Sequence, residues 1–259
     1  MVLVHGVVVA GRYMMPTAYS LSEHRPVYIP DLPGFGRSEG PEKPLDVQEL
    51  ARSLAEWMTA AGLDRADLVG HSFGCQIVSG LAARWPERVG RLVLLSPIGD
   101  PSSGSLAGHI WRWMLDCPRE PLSVWGSYVG GFVRFGPRRA LGTLGHSLRD
   151  EMERRLPRIQ VPALVVRGER DPMVEESWAR RVAGLLPRGR LAIMPGAPHN
   201  VNYKTPGALC RILLPFLESP EDDCGGVSGG YTAVARSGGK EEAKKPHQSR
   251  ERRRGRRTW

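Results

Sequence analysis

A serine between two glycines is the side chain in this sequence best suited to nucleophilic chemistry. Residues 70–74 read Gly-His-Ser-Phe-Gly, with a short apolar segment at 66–69 before them and a run of small residues at 75–83 after them. This order predicts a strand, a sharp turn and a helix, with Ser72 at the apex of the turn. The glycines permit the turn, because a Cβ at either position would collide with the neighbouring strand or helix. A hydroxyl held there points out over the edge of a sheet, beside a helix N-terminus that favours developing negative charge.

A serine hydroxyl becomes a nucleophile when a base removes its proton, and two later segments supply a carboxylate and an imidazole. Residues 163–171 read as a strand that delivers Asp171, and residues 191–199 read as a strand and loop that deliver His199. Side chains that follow parallel strands meet at one edge of a sheet, so we expect the three groups to converge. His199 would then accept the proton of Ser72 and return it to the leaving group, while Asp171 would fix the imidazole tautomer.

The N-terminal residues predict the group that would hold the oxyanion of an acyl-transfer reaction. Residues 3–7 contain an apolar strand that ends in His-Gly. A loop of this kind supplies one backbone N–H to the oxyanion, and the residue after the nucleophile supplies another. The two donors expected here are Val7 and Phe73, and removal of one donor costs about 3–4 kcal/mol in comparable sites.

Other polar side chains near these motifs receive different interpretations. Glu169 is the alternative acid, but it precedes the loop and is expected to face solvent. His5 and His71 are expected to orient the two loops by hydrogen bonds rather than to transfer protons. Asp31 either forms a turn or interacts with the oxyanion loop, and the sequence leaves both open. The remaining histidines read as ordinary polar residues: His24, His109, His146 and His247.

Five motifs stand in register along the chain: His-Gly at 5–6, Asp-Leu-Pro-Gly-Phe-Gly-Arg-Ser at 31–38, Gly-His-Ser-Phe-Gly at 70–74, Gly-Glu-Arg-Asp at 168–171 and Gly-Ala-Pro-His at 196–199. With these motifs, residues 2–218 resemble the α/β-hydrolase superfamily, in its branch of single-domain esterases and lipases. The order serine, aspartate, histidine is also the triad order of that fold. The resemblance implies an α/β fold with a mostly parallel sheet, helices on both faces and a small helical cap. The strand pair that normally opens the fold would have to precede Met1, so we expect either a true start upstream or a sheet that begins late with an exposed edge.

The cap is expected at 98–160, between two strand-like segments. The resemblance implies that this insertion covers the active site, so some of its aromatic side chains line the pocket and the others pack the cap onto the body. An apolar, aromatic-lined pocket favours a small hydrophobic ester or acyl substrate. The aromatic residues concerned are Trp111, Trp113, Trp125, Tyr128, Phe132 and Phe135.

The resemblance implies a serine hydrolase that cleaves a carboxylic ester or a related acyl bond through an acyl-enzyme intermediate. Epoxide hydrolases and haloalkane dehalogenases of this fold use an aspartate where Ser72 stands, and cofactor-free haloperoxidases usually have methionine where Phe73 stands. Carbon–carbon bond hydrolases of the fold are an alternative, although they usually carry asparagine in place of His71 and Gly-Pro-Gly in the oxyanion loop. A catalytically inactive homologue that binds a ligand is the other alternative.

Composition sets the domain organisation and compartment. The chain has 259 residues with 41% hydrophobic content, enough for one α/β-hydrolase domain at 1–218 with a sizeable core. Four scattered cysteines, with no signal peptide before them, favour a reducing cytoplasm. No apolar run reaches the length of a membrane span. No set of His, Cys, Asp and Glu has metal-ligand spacing, so neither a metal nor a cofactor is expected.

Residues 219–259 are rich in Gly, Ser, Lys, Glu and Arg, which predicts a disordered basic tail. Residues 236–259 alone carry a net charge of +7, out of +9 for the whole chain. The arginine-rich stretch at 250–257 could make non-specific contacts with nucleic acid or an anionic membrane. No specific nucleic-acid partner is expected.

Overall fold

The computed structural model describes residues 1–101, 106–119, 122–220 and 231–233. In this part of the chain, six parallel strands form one sheet and lie in the order in which they occur in the sequence. They are β1 Val2–Val4, β2 Ala66–His71, β3 Val89–Leu95, β4 Ala163–Gly168, β5 Gly189–Met194 and β6 Tyr231–Ala233. The central strands are largely buried, as expected for parallel strands covered on both faces.

Helices connect the strands and cover the sheet. They are α1 Met15–Ser22, α2 Val47–Ala60, α3 Phe73–Arg84, α4 Leu106–Asp116, α5 Leu122–Phe135, α6 Pro137–Arg149, α7 Met152–Arg155, α8 Glu176–Leu185, α9 Val201–Lys204 and α10 Pro206–Glu218. Single turns of 3-10 helix occupy Gly11–Met14, Pro86–Arg88, Cys117–Arg119 and Leu156–Arg158. The predicted α/β fold is therefore confirmed.

Side-chain alternation along the strands divides the apolar core into two layers, one on each face of the sheet. Val2 and Val4 belong to the layer that includes α2, α3 and α8, whereas Leu3 belongs to the layer that includes α1 and α10. Two cysteines contribute to these layers as small core residues: Cys75 in α3 and Cys210 in α10 are buried. Helices therefore cover both faces of the sheet, and the loops that carry the candidate site residues leave the sheet at the carboxyl ends of its strands.

The run Val-Tyr-Ile at 27–29 consists of residues that favour a strand, but the structure reduces it to a single bridge. Tyr28 pairs in parallel with Val2, outside β1. The Leu3 N–H donates to the Tyr28 carbonyl and the Tyr28 N–H donates to the Met1 carbonyl, both at 2.9 Å. A longer ladder does not form because the flanking residues, Pro26 and Pro30, have no N–H to donate. β1 is the first strand of the described residues, and Tyr28 covers part of its outer edge.

Between β3 and β4 the described chain forms α4 to α7, within the range 98–160 for which a helical cap is predicted. Phe135, at the end of α5, is buried, and its ring centroid lies 4.3 Å from that of Phe35. This aromatic therefore packs the cap onto the body. Trp111 and Phe132 point to solvent instead. The side chain of Tyr128 lies outside the described part of the structure.

Most of the tail predicted at 219–259 lies outside the described residues. Within that range the structure describes residues 219–220, which follow α10, and the strand β6, which pairs in parallel with β5. A strand therefore stands at Tyr231–Ala233 where disorder is predicted, consistent with the strand preference of tyrosine and threonine. In the described ranges, no helix combines the length and apolar character that a membrane crossing requires.

Candidate active site

The turn between β2 and α3 holds Ser72 in a backbone conformation that serine rarely adopts. Ser72 has φ +54° and ψ −116°, and its N–H donates to the Leu95 carbonyl at 2.9 Å. A Cβ on Gly74 would lie 2.4 Å from the Val4 carbonyl oxygen, and a Cβ on Gly70 would lie 2.6 Å from the Gly74 carbonyl oxygen. Both glycines are therefore required by close backbone approach. The strain is retained because strand and helix fix the turn from both sides.

The structure brings together the three side chains that the sequence predicts to form a triad. His199 Nε2 lies 3.1 Å from Ser72 Oγ, and His199 Nδ1 lies 2.9 Å from Asp171 Oδ2. The Asp171 carboxylate accepts a hydrogen bond from the Nδ1–H of His199, so the unprotonated Nε2 of His199 accepts from the Ser72 hydroxyl. All three residues are buried, with 4–6% of their surface exposed. The arrangement can remove a proton from Ser72 and pass it to a leaving group.

Asp171 is held as a carboxylate. Its Oδ1 accepts hydrogen bonds from the Met173 and Val174 N–H groups at 2.8 and 3.0 Å. Burial alone would raise the pKa of Asp171, but the charge and hydrogen bond of His199, with smaller contributions from Ser96 and Met173, outweigh burial and lower this pKa below its usual value. The residue that orients the imidazole therefore stays ionised near neutral pH.

Glu169, the alternative acid, hydrogen-bonds to the backbone rather than to His199. Its side chain is exposed, as expected, and its Oε2 accepts from the Gly196 N–H at 2.7 Å. This bond connects the loop that carries Asp171 to the loop that carries His199. The carboxylate that hydrogen-bonds to His199 belongs to Asp171. Glu169 instead holds the two loops together from the solvent side.

Arg167, which was not predicted from the sequence as a site residue, supports the acid loop from inside. This residue of β4 is only 7% exposed, and its guanidinium donates to three carbonyl oxygens of the loop. The distances are 2.7 Å to Val174, 3.1 Å to Asp171 and 3.3 Å to Glu169. An arginine that follows the apolar run at 163–166 was the available signal, because a charge in a buried strand requires fixed partners.

The two structural histidines tie the loops around the nucleophile. His5 donates from Nδ1 to the Gly6 carbonyl at 2.8 Å and accepts from the Leu32 N–H at Nε2. His71 donates from Nε2 to the His199 carbonyl at 3.2 Å. Burial lowers the pKa of His5, and burial together with the charge of His199 lowers the pKa of His71 to about 3. Both imidazoles are therefore neutral, and His71 adds no positive charge beside the triad.

Asp31 forms the turn that is one of its two predicted roles, and its other contact is with a segment beyond the oxyanion loop. Its Oδ1 accepts from the Gly11 N–H at 2.7 Å, which fixes the segment after the oxyanion loop. Its Oδ2 accepts from the Arg37 N–H at 2.9 Å, and its carbonyl accepts from the Ser38 hydroxyl, which closes its own turn. The carboxylate is thus committed to backbone donors.

The loop expected to supply an oxyanion donor lies directly against the nucleophile. A Cβ on Gly6 would lie 3.4 Å from Ser72 Cβ, so the residues around Val7 border the serine. Phe73 is the first residue of α3, where an N–H has no acceptor within the helix. Val8 has φ +63°, an uncommon conformation for a branched side chain.

The cap closes over this loop at one point. A Cβ on Gly131 of α5 would lie 2.0 Å from the Val8 carbonyl oxygen, so only glycine allows the helix to lie so close. Beside this contact is a cavity of about 540 Å³, whose border includes Gly131 and Tyr203 as well as the charged residues Arg12, Asp31 and Arg37. The Tyr13 ring lies 5.4 Å from that of His71 and stacks on Tyr203 at 5.6 Å. Tyr13 itself is 1% exposed, so a group held in the cavity would meet Tyr203, the α5 backbone and the charged side chains, with Tyr13 and His71 between it and Ser72.

In the described residues, no group of three or more His, Cys, Asp and Glu side chains has an arrangement that could hold a metal ion. The candidate site is thus described by the serine turn, the acid loop, the histidine loop and the N-terminal loop.

Comparison with known proteins gives a family and a fold. The sequence model of a family described as the alpha/beta hydrolase family matches residues 1–212. The chain is 34% identical over 136 residues to the 1-acylglycerol-3-phosphate O-acyltransferase ABHD5 of Sus scrofa, covering 49% of this chain and 36% of that protein. It is 43% identical over 89 residues to the 2-hydroxy-6-oxo-2,4-heptadienoate hydrolase of Pseudomonas putida, covering 34% of this chain and 31% of that enzyme. The matches therefore span about a third of the length of these relatives.

Among solved structures, a hydrolase from Oleispira antarctica has the same fold with a TM-score of 0.77. It is 16% identical in sequence, and the match covers 85% of this chain and 90% of that one.

Proposed function

The chain belongs to the alpha/beta hydrolase family, and we propose that it hydrolyses a carboxylic ester or a related acyl bond of a small hydrophobic substrate, through an acyl-enzyme on Ser72. The observation that carries the proposal is the hydrogen-bonded series Ser72, His199 and Asp171, with distances of 3.1 and 2.9 Å. It is supported by the strained turn at the serine and by the N-terminal loop beside it.

In the first half of the reaction, His199 Nε2 removes the hydroxyl proton while Ser72 Oγ forms a bond to the carbonyl carbon. The carbonyl electrons move to the oxygen, and the resulting oxyanion accepts hydrogen bonds from the Val7 and Phe73 N–H groups. When the tetrahedral intermediate collapses, the imidazolium gives its proton to the departing alcohol. Asp171 remains ionised and holds the imidazole throughout.

In the second half, water replaces the alcohol. His199 removes a proton from the water, the hydroxide oxygen attacks the acyl carbon, and the second oxyanion uses the same two N–H groups. Collapse breaks the bond to Ser72 Oγ, which takes back a proton from the imidazolium. The products are the carboxylic acid and the free enzyme.

The cavity between α5 and the body supports a hydrophobic substrate group. Tyr203 supplies aromatic surface, the glycine-rich part of α5 leaves space above it, and Arg12, Asp31 and Arg37 border the same cavity beside polar parts of a substrate. A short acyl chain or an alcohol group of similar size fits a volume of about 540 Å³.

The experiment is the hydrolysis of a series of p-nitrophenyl esters of increasing acyl length. Ser72→Ala and His199→Ala are expected to abolish turnover. The matched control is Glu169→Gln, which removes the neighbouring exposed carboxylate and is expected to retain most of the activity. Equal rates for His199→Ala and the parent would show that the base is wrongly assigned.

A carbon–carbon bond hydrolase is the second candidate, because of the 43% identity to the Pseudomonas putida enzyme over 89 residues. Turnover of a 2-hydroxy-6-oxo-dienoate with no ester turnover would favour it. The third outcome is an inactive ligand-binding homologue. It is indicated when a fluorophosphonate fails to label Ser72 in the folded protein, because that reagent reports an activated serine directly.

A further inference from the structure

Two cap helices present apolar side chains to solvent. Six large residues, here called the apolar cap face, are between 41% and 75% exposed: Ile110, Trp111 and Met114 of α4, and Val129, Phe132 and Val133 of α5. On α5 the exposed residues are separated by three and four positions, so they lie on one stripe of the helix. Grouped exposed apolar side chains on a folded chain mark an interaction surface.

The polarity of α4 is opposite to that of a helix packed on a core. Among the side chains of α4 whose burial is described, the most buried is Asp116, which is 2% exposed, and one turn before it Arg112 makes an ion pair with Glu175 at 2.6 Å. Trp111 and Met114 face outward. Packing within the chain therefore does not account for the outward apolar residues, because a core-facing helix buries its apolar stripe.

The charge of the cap restricts what can cover this face. Residues 106–149 contain six arginines, one aspartate and one glutamate, a net charge of +4. Arg138, at the start of the helix that follows α5, is exposed. A second copy of the chain would bring two positive caps together, whereas anionic phospholipid offers phosphates for the arginines and an apolar layer for the tryptophan.

The α5 part of the apolar cap face lies on the helix that contacts the N-terminal loop of the candidate site. Gly131 of α5 packs against the Val8 carbonyl, next to the nucleophile, while Val129 and Val133 of the same helix point to solvent. We propose that the apolar cap face docks on an anionic phospholipid surface, so that an acyl substrate reaches Ser72 from the lipid phase. The second part rests on the proposed hydrolase function, whereas the docking does not.

Vesicle co-sedimentation tests the docking without catalysis. The full chain carrying Ser72→Ala is mixed with vesicles of phosphatidylcholine, with or without phosphatidylglycerol. In this background, Trp111→Gln with Met114→Gln is expected to lower the partition onto phosphatidylglycerol vesicles about tenfold, and Val133→Gln about threefold, because less apolar surface is transferred. The matched control is Tyr19→Gln, which changes an aromatic residue that is 67% exposed on α1, and it is expected to leave the partition unchanged.

Three results would overturn the docking. One is the absence of binding to either vesicle at low salt. Another is binding that disappears at high salt but is the same in the cap variants, which would assign it to the basic tail. The last is a parent dimer that the cap variants dissociate, without vesicle binding, which would show that a second copy covers the face. Since the substituted side chains point to solvent, the variants are expected to unfold at the parent temperature.

The two proposals fail separately. With Ser72 restored, the cap variants are expected to hydrolyse a water-soluble p-nitrophenyl ester at the parent rate and to lose activity only on ester carried in phosphatidylglycerol vesicles. Vesicle binding without hydrolysis of any ester would contradict the proposed function and leave the docking intact. Equal hydrolysis of vesicle-borne ester by parent and cap variants would contradict the delivery of substrate through this face.

Discussion

Removal of the Arg167 guanidinium is expected to disable the acid loop while leaving the sheet folded. Two of its hydrogen bonds, to the Val174 carbonyl at 2.7 Å and the Asp171 carbonyl at 3.1 Å, are short enough to contribute their full free energy to stability. Hydrogen bonds to a charged group contribute about 1.5–3 kcal/mol each, against which the cost of burying the charge must be set. We therefore expect Arg167→Met to lower the free energy of unfolding by about 3 kcal/mol.

The effect on catalysis separates positioning from general stability. A loop displaced by about 1 Å misplaces the carboxylate, and displacements of that size cost roughly a hundredfold in rate. Steady-state assays should show a lower kcat for Arg167→Met with little change in KM, and Arg167→Lys should recover part of the rate. The control is Arg170→Gln, at an exposed position of the same loop. A folded Arg167→Met protein with the parent kcat would refute this account of the loop.

Three further predictions concern the loop, the triad and pH. Gly131→Ala should reduce ester hydrolysis about tenfold by forcing α5 away from the Val8 carbonyl, whereas Gly130→Ala, with nothing within 4 Å of its added Cβ, should not; equal rates would show that the contact is unimportant. Asp171→Asn should lower kcat by roughly four orders of magnitude without changing the folded structure, since the amide holds the wrong imidazole tautomer. His71 is neutral when folded, with a pKa of about 3, but protonates near pH 6.5 when unfolded. Between pH 6.5 and about 3 it should therefore lower stability by about 1.4 kcal/mol for each pH unit, in addition to a contribution of the same sign from buried His5. Urea unfolding measures this slope, and an unchanged slope in a His71→Asn variant would contradict the contribution of His71.

The triad residues could be predicted because each follows a strand within a short motif. Ser72 sits in a turn whose geometry is set by its own glycines, and parallel strands place their carboxyl ends at one edge. The alternation that separates Leu3 from its neighbours into opposite layers is likewise local. For these features, the sequence neighbourhood contains the physical cause.

Other features depend on contacts between distant segments. Gly131 is one of several glycines in α5. Only the close approach of the Val8 carbonyl shows that this position requires glycine. The apolar residues of α4 resemble a core stripe in sequence, but tertiary packing turns Asp116 inward instead. The apolar run at 27–29 predicts a strand, yet its flanking prolines reduce it to one bridge.

The central claim is that Ser72 carries the acyl group during turnover. Rapid acid quenching of the protein with a p-nitrophenyl ester, followed by mass spectrometry of its peptides, measures this directly. We predict a peptide containing Ser72 that is heavier by one acyl group, and no such adduct in the Ser72→Ala protein. Ester turnover with an unmodified Ser72 peptide, or with the acyl group on another residue, would contradict the account.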